Sequence, residues 1–168
     1  DAQSIDNLHG SIIIGSLKDP TTGLLTYGGV RCNSRWHAGS FERIAPQDQI
    51  QPCDAMNGNV VLVSAAAAQV TGAIDVRFSH SMGDYDYGLR AVRAGVTVVS
   101  GHGFHGECPR NPWGTLWYES RSLRERCKRV NTPKGLPMKE WAYFLRKHGG
   151  ASWPLAWLMT YRRILTGS

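Results

Sequence analysis

Residues 83–99 read GDYDYGLRAVRAGVTVV, and this stretch decides the fold class of the chain. Tyr85, Leu89 and Val92 recur at i, i+4 and i+7, so the spacing predicts a helix that buries this face. Gly95 stands where a helix commonly ends in the left-handed conformation. The apolar, β-branched run that follows predicts a buried strand. A helix leading directly into a buried strand indicates an α/β domain.

Apolar runs upstream predict the other strands of the sheet. Residues 11–15 and 24–27 are joined by a Pro- and Gly-containing turn, and residues 60–63 (VVLV) predict another buried strand. Ser64 predicts the cap of a short Ala-rich helix that ends at Gly72. The polar stretch 31–52, which holds few apolar residues, is interpreted as an irregular surface loop.

Composition and charge divide the chain into two parts. With 42% apolar and 19% charged residues it is a folded globular chain, and no apolar run reaches the roughly 18 residues of a spanning helix. Residues 1–112 hold 8 Lys and Arg against 10 Asp and Glu, whereas residues 113–168 hold 11 against 3. The sequence predicts an α/β part at 1–112 and a basic, Trp-rich helical extension at 113–168. Helices are expected at 116–129, from Pro137 and after Ser152, and the helix from Pro137 is expected to carry an apolar stripe of Trp141, Phe144 and Leu145.

The four cysteines indicate a reducing compartment. Cys32, Cys53, Cys108 and Cys127 include no CxxC pair, so we expect free, mostly structural thiols and a cytoplasmic location. The chain begins at Asp1 without Met or a leader pattern, and we interpret it as an excerpt of a longer protein.

Three segments in order carry a resemblance: CDAMNGN at 53–59, GDYDYGLRA at 83–91 and AGV at 94–96. Together they resemble the acceptor-side half of the family 2 glycosyltransferases. The resemblance covers residues 10–112 and implies a partial GT-A mixed sheet. The family's nucleotide-binding half, whose DxD motif holds Mg²⁺ or Mn²⁺, is absent from these residues. Gly83 stands where the family usually has an acidic residue.

The resemblance implies inverting transfer of a sugar from a nucleoside diphosphate sugar to a hydroxyl of a glycan or lipid-linked acceptor. A hydroxyl is a poor nucleophile, so a carboxylate must accept its proton as the new bond forms. Asp84, at the start of the predicted helix, is the candidate base, because the helix N-terminus stabilises an anion. The competing interpretation is that Asp84 only caps the helix.

Further positions are assigned to substrate binding by the same resemblance. They are Asp54, Asn57, Gly58, Asn59, Asp86 and Arg90. The first four surround a turn before a strand, and the alternative is that they form the turn and nothing more. Asp86 is expected either to pair with Arg90 at i+4 or to orient acceptor hydroxyls.

Three potential metal ligands, His102, His105 and Cys108, recur at intervals of three in a glycine-containing stretch. Imidazoles and a thiolate can bind zinc, but no fourth ligand is evident. The glycines predict a mobile loop. The resemblance instead implies that His105 approaches the metal–diphosphate complex, and an exposed loop histidine is the alternative.

The extension at 113–168 interleaves Trp and Tyr with Arg and Lys, which is typical of a protein surface that touches a membrane. We therefore expect either peripheral contact with the cytoplasmic membrane face or amphipathic helices that pack on the protein. A nucleic-acid partner is not expected, because no RNA-binding signature is present. The competing functional class is a non-catalytic module that binds carbohydrate or an anionic polymer.

Overall fold

A computed structural model describes residues 10–33, 39–80, 82–110, 118 and 122–166. The strands are β1 (Ser11–Lys18), β2 (Leu25–Tyr27), β3 (Gly29–Cys32), β4 (Phe41–Arg43), β5 (Gln51–Pro52), β6 (Ala55–Met56), β7 (Val61–Val63) and β8 (Thr97–Glu107). The α-helices are α1 (Ala65–Thr71), α2 (Gly83–Arg93), α3 (Leu123–Val130), α4 (Met138–His148) and α5 (Trp153–Thr166). The α/β class with C-terminal helices is confirmed.

The chain divides into two compact units. Unit 1 comprises Asp1–Cys32, Phe41–Asp75 and Asp84–Arg110, and unit 2 comprises Asn33–Ser40, Val76–Gly83 and Asn111–Ser168.

The main sheet of unit 1 is mixed and is built around β1. This strand pairs in parallel with β8, with Ile12 opposite Val98, and in antiparallel fashion with β2 and β7. β5 continues the sheet beyond β8. The prediction that β7 is buried was wrong, because Leu62 is exposed while Val61 and Val63 pack partly against the core. Strand β7 therefore covers the core with one face and meets solvent with the other.

Helix α2 packs on the core through a different face from the predicted one. Tyr87 and Ala91 belong to the core cluster, whereas Val92 is exposed. A side chain at Gly88 would bring its Cβ to 2.7 Å from Ala55 Cα, so the helix approaches the β6 backbone through this glycine. Of the expected face, Tyr85 and Leu89 are half-buried and Val92 is exposed, because periodicity alone does not show where the helix comes closest to the sheet.

The stretch predicted as an irregular loop contains three short strands. β3 lies between β4 and β6 in a small antiparallel sheet, with Val30 opposite Arg43 and Ala55. Strand β5 joins the main sheet instead. The loop prediction for 31–52 was wrong at these strands, which form by pairing with one another or with β6 and β8.

Strand β8 is much longer than the predicted apolar run, since it continues to Glu107. Its pairing with β1 shifts between Ile14, opposite Ser100, and Ser16, opposite Phe104. Gly103 lies in this irregular stretch with φ +56°, and its N–H donates to the carbonyl of Gln47 at 3.0 Å. The predicted mobile loop is instead a bulged strand.

Local end signals of the unit 1 helices were predicted correctly. The Ser64 hydroxyl accepts from the N–H of Ala67, and Gly72 ends α1 at φ +75°. Gly95 follows α2 with φ +82°.

Helices α4 and α5 of unit 2 are joined by aromatic side chains. Trp157 Nε1 donates to the Met138 carbonyl at 3.0 Å, and the Tyr161 hydroxyl donates to the Leu136 carbonyl at 2.7 Å. The predicted apolar stripe of Trp141, Phe144 and Leu145 is buried. The described part of the helix expected at 116–129 is α3, and most of the residues before it lie outside the described ranges. None of the helices in the described ranges is long and apolar enough to cross a membrane.

Candidate functional site at the start of helix α2

The carboxylate of Asp84 joins the start of α2 to the turn between β6 and β7. Its Oδ1 accepts from the N–H of Tyr85 at 2.9 Å, and its Oδ2 accepts from the N–H of Gly58 at 2.8 Å. Asp84 is half-buried. A Cβ on Gly58 would lie 3.3 Å from Asp84 Cβ, so the glycine allows this close approach. Asp84 and Gly58, both singled out in the sequence, are therefore brought together.

Asn57 fixes the other side of the same turn. Its amide group donates from Nδ2 to the Tyr85 hydroxyl at 2.9 Å and accepts at Oδ1 from the N–H of Gly28 at 3.4 Å. Its backbone N–H donates to the Gly28 carbonyl at 3.0 Å. The turn is thus bound to the end of β2 and to α2, which gives Asn57 a positional role.

Tyr85 belongs to this site, although its spacing predicted only a place on the buried face of α2. Its ring packs edge-on against Phe41 with centroids 4.7 Å apart. Burial raises the pKa of the Tyr85 hydroxyl, which outweighs the opposing effect of its hydrogen bond with Asn57. The hydroxyl is therefore neutral at physiological pH. The sequence signal that could have identified Tyr85 as a site residue is its position directly after Asp84.

The remaining turn residues differ in their surroundings. Asp54 accepts at Oδ2 from the N–H of Cys32 at 2.7 Å, and its own N–H donates to the Val30 carbonyl. Asp54 therefore ties its loop to β3 and is half-buried. Asn59 is exposed at the tip of the turn. Roles in substrate binding stay predictions for both.

Asp86 and Arg90 form the expected i,i+4 ion pair. Asp86 is fully buried, and the pair has an Nε–Oδ2 distance of 2.9 Å. Arg90 also donates to the carbonyls of Thr71 and Ala73, at the end of α1 and just beyond it. The pair thus connects α2 to the segment after α1. This supports the structural interpretation of Asp86, and orientation of acceptor hydroxyls stays a prediction.

His105 lies on β8 close to two glycines. A Cβ on Gly101 would meet the His105 ring at 3.0 Å, and a Cβ on Gly15 would lie 3.2 Å from His105 Cβ. The nearby His102 holds the Asp48 carbonyl through Nδ1 at 2.8 Å. Within the ranges that the structure describes, no three His, Cys, Asp or Glu side chains are grouped to hold a metal ion. The metal role of His105 stays a prediction.

Comparison with known proteins gives no family assignment. No family model, curated protein or solved structure matches the chain.

The arrangement has a definite chemical capacity. A half-buried carboxylate at a helix N-terminus experiences the partial positive charge of the helix, which favours its ionised form. Two backbone N–H groups from different segments hold it in one orientation. A carboxylate fixed in this way can accept a proton from a hydroxyl group within hydrogen-bond reach.

Proposed function

We propose that this chain is the acceptor-side part of an inverting glycosyltransferase of family 2, with a GT-A fold. Its substrates are a nucleoside diphosphate sugar and a hydroxyl group of a glycan or lipid-linked acceptor. The observation that carries the proposal is the hydrogen bond between Asp84 Oδ2 and the N–H of Gly58. It unites two of the three segments on which the resemblance to the family rests.

The topology of unit 1 supports the proposal. Strands β1 and β8 are parallel neighbours in a mixed sheet, and α2 leads directly into β8. The acidic start of α2 is therefore the end of the helix that is not connected directly to β8. In α/β proteins, polar side chains on connections between sheet strands are common places for a ligand site.

The proposed reaction assigns one proton transfer to Asp84. The acceptor oxygen bonds to the anomeric carbon from the face opposite the leaving group, and the bond from that carbon to the diphosphate breaks. Asp84 takes the hydroxyl proton, and the diphosphate leaves with the electron pair. Asn57 and Tyr85 hold the turn and the helix in register, so that the carboxylate keeps its place.

A divalent cation such as Mg²⁺ or Mn²⁺, when bound, would neutralise the charge on the leaving diphosphate. His105 is the only described residue that the resemblance assigns to the cation. The described residues contain no group of three His, Cys, Asp or Glu side chains that could hold a metal ion. These residues alone do not fit a complete metal site, so no step is assigned to the cation.

Asp84→Asn tests the proposal, because asparagine does not act as the base but keeps one oxygen that can accept from the N–H of Gly58; its NH2 group cannot accept from the N–H of Tyr85. In the natural protein that contains this chain, we expect turnover to fall by about 10²–10⁴. The measurement is release of nucleoside diphosphate from UDP-glucose, UDP-N-acetylglucosamine or GDP-mannose, with oligosaccharide and polyprenyl phosphate acceptors. Asp48→Asn is the matched control, since Asp48 is exposed and lies outside the site.

The outcomes separate the base from a capping residue. Loss of turnover in Asp84→Asn, with unchanged thermal unfolding and normal turnover in Asp48→Asn, supports the assignment. Near-normal turnover in Asp84→Asn overturns Asp84 as the base. If the unsubstituted natural protein releases no nucleoside diphosphate and binds none of these donors, the proposed function itself is wrong.

A further inference from the structure

Helix α5 presents an apolar stripe to solvent. Leu155, Leu158, Met159 and Leu165 are 59%, 62%, 43% and 75% exposed, respectively. Their spacing places them on one side of the helix, because residues three, four and seven apart are neighbours on a helix surface. Single exposed leucines are ordinary, but three leucines and a methionine on one helical face indicate an interaction surface.

The opposite face of α5 is already packed. Tyr161 and Ile164 are buried, and the indole of Trp157 is hydrogen-bonded to the carbonyl of Met138 in α4. The helix is therefore held in place within unit 2 by one face. Its exposed stripe takes no part in that packing and is available as a fixed, preformed surface.

Two exposed arginines lie on or beside this stripe. Arg162 is three residues after Met159 and three before Leu165, so it lies on the stripe itself. Arg163 places its guanidinium 5.2 Å from the centre of the Tyr118 ring. Residues 113–168 as a whole carry a net charge of +8. An arginine can lay its apolar stem on a hydrophobic surface while its charge stays in water. A leucine-rich face that carries arginines therefore matches a membrane surface, where acyl chains lie beneath anionic head groups.

A basic, aromatic cleft lies in the same unit. It has a volume of about 280 Å³ and is lined by Lys139, Ala142, Tyr143, Arg146 and Trp153. Trp153 is the first residue of α5, so the cleft adjoins the beginning of that helix. Because residues two apart on a helix do not face each other, Trp153 lies on a different side of α5 from Leu155 and the stripe.

We propose that the exposed face of α5 docks on an anionic membrane surface, with the helix lying in the plane of the interface. Fourteen residues at about 1.5 Å each give a helix of about 21 Å, which suits a surface-lying segment. An RNA partner would leave the leucine stripe in water. A second copy of the chain would bring two strongly positive segments together. The proposal does not depend on the glycosyltransferase assignment.

Vesicle co-sedimentation of the 168-residue chain tests the proposal. Binding to phosphatidylcholine vesicles that contain about 30% phosphatidylglycerol should exceed binding to pure phosphatidylcholine, and salt should weaken it. Leu155→Gln and Leu158→Gln should each lower the partition coefficient about tenfold, because each removes a leucine side chain from the apolar interface. Arg162→Gln should lower it about fivefold on anionic vesicles only.

Leu62→Gln is the matched control. Leu62 is 67% exposed on β7 in unit 1, so it undergoes the same chemical change at similar exposure outside the proposed surface. We expect normal partition for this variant. Circular dichroism of each variant confirms that the helices are retained.

Three results would overturn the proposal. One is equal partition of Leu158→Gln and Leu62→Gln. Another is sedimentation as a dimer that Leu158→Gln dissociates, which would assign the stripe to a second copy. The third is RNA binding that Leu158→Gln weakens, in the absence of vesicle binding.

Discussion

Arg90→Met should destabilise unit 1 strongly, because it removes the guanidinium that pairs with the buried Asp86 carboxylate. Asp86 is 0% exposed and Arg90 22% exposed, and the guanidinium also holds the carbonyls of Thr71 and Ala73. Methionine keeps an unbranched apolar side chain at the position but provides none of these bonds. Breaking a buried ion pair from one side costs about 3–5 kcal/mol, so we expect a loss of this size in the free energy of unfolding.

The chain provides a matched control for this variant in α3. Glu125 and Arg129 have the same i,i+4 spacing and an Nε–Oε1 distance of 3.1 Å, but they are 45% and 37% exposed. Arg129→Met should therefore cost no more than about 0.5 kcal/mol. Urea unfolding followed by far-ultraviolet circular dichroism measures both variants, and hydrogen exchange at residues 83–93 assigns the loss to α2.

A double-mutant cycle isolates the pair itself. Removing both partners in Asp86→Ala with Arg90→Met should cost less than the two single losses together, by about 1–3 kcal/mol. If Arg90→Met destabilises the chain no more than Arg129→Met, the buried pair does not hold α2 to the segment after α1. The structural interpretation of Asp86 would then be wrong.

Two further predictions concern packing and thiol chemistry. Gly88→Ala should destabilise unit 1 by about 1–3 kcal/mol, because the new Cβ would lie 2.7 Å from the Ala55 backbone. At a solvent-exposed helix position the same substitution would stabilise, since alanine has the higher helix propensity. A variant that is more stable in urea unfolding would contradict the close approach. Burial raises the pKa of the Cys53 thiol from 9.0 to about 11, so at pH 8 it holds about a hundredfold less thiolate than an unperturbed cysteine. Iodoacetamide should therefore alkylate the exposed Cys127 well before Cys53, and equal rates in peptide mapping would refute the effect of burial.

Features that depend on a few neighbouring residues were predictable from the sequence. Ser64 caps α1, Gly72 and Gly95 adopt positive φ after their helices, and α4 buries its aromatic stripe. Each follows from chemistry within one turn of the chain, such as a hydroxyl that accepts from an N–H or a missing Cβ. Such signals are fully contained in the local sequence.

Features that depend on distant pairing were not predictable in the same way. The strand β3 is polar at Arg31, and it forms because Val30 pairs with Arg43 and Ala55. The buried face of α2 is set by the approach of Gly88 to Ala55. A periodic pattern shows that a helix has an apolar side, but the neighbouring strand decides which residues meet the core.

The candidate site was predicted in part. The resemblance singled out Asn57, Gly58 and Asp84, and the structure brings these three together. It did not indicate Tyr85 or Gly28, which complete the hydrogen bonds around the turn. The polar end of a tyrosine is invisible to an apolar periodicity, so its hydroxyl became evident only when Asn57 was placed beside it.

Capping alone does not account for the contacts of Asp84. A capping side chain satisfies N–H groups of its own helix, and here Oδ1 accepts from the N–H of Tyr85. The other oxygen, Oδ2, accepts from Gly58, which is 26 residues away in a turn that Asn57 also anchors. This second bond adds nothing to the cap, but it fixes where the carboxylate lies relative to the turn. A fixed position is what a proton acceptor requires, because proton transfer depends on distance and direction. The contacts therefore give Asp84 a positional role that a helix cap does not include, and its role as the base stays a prediction.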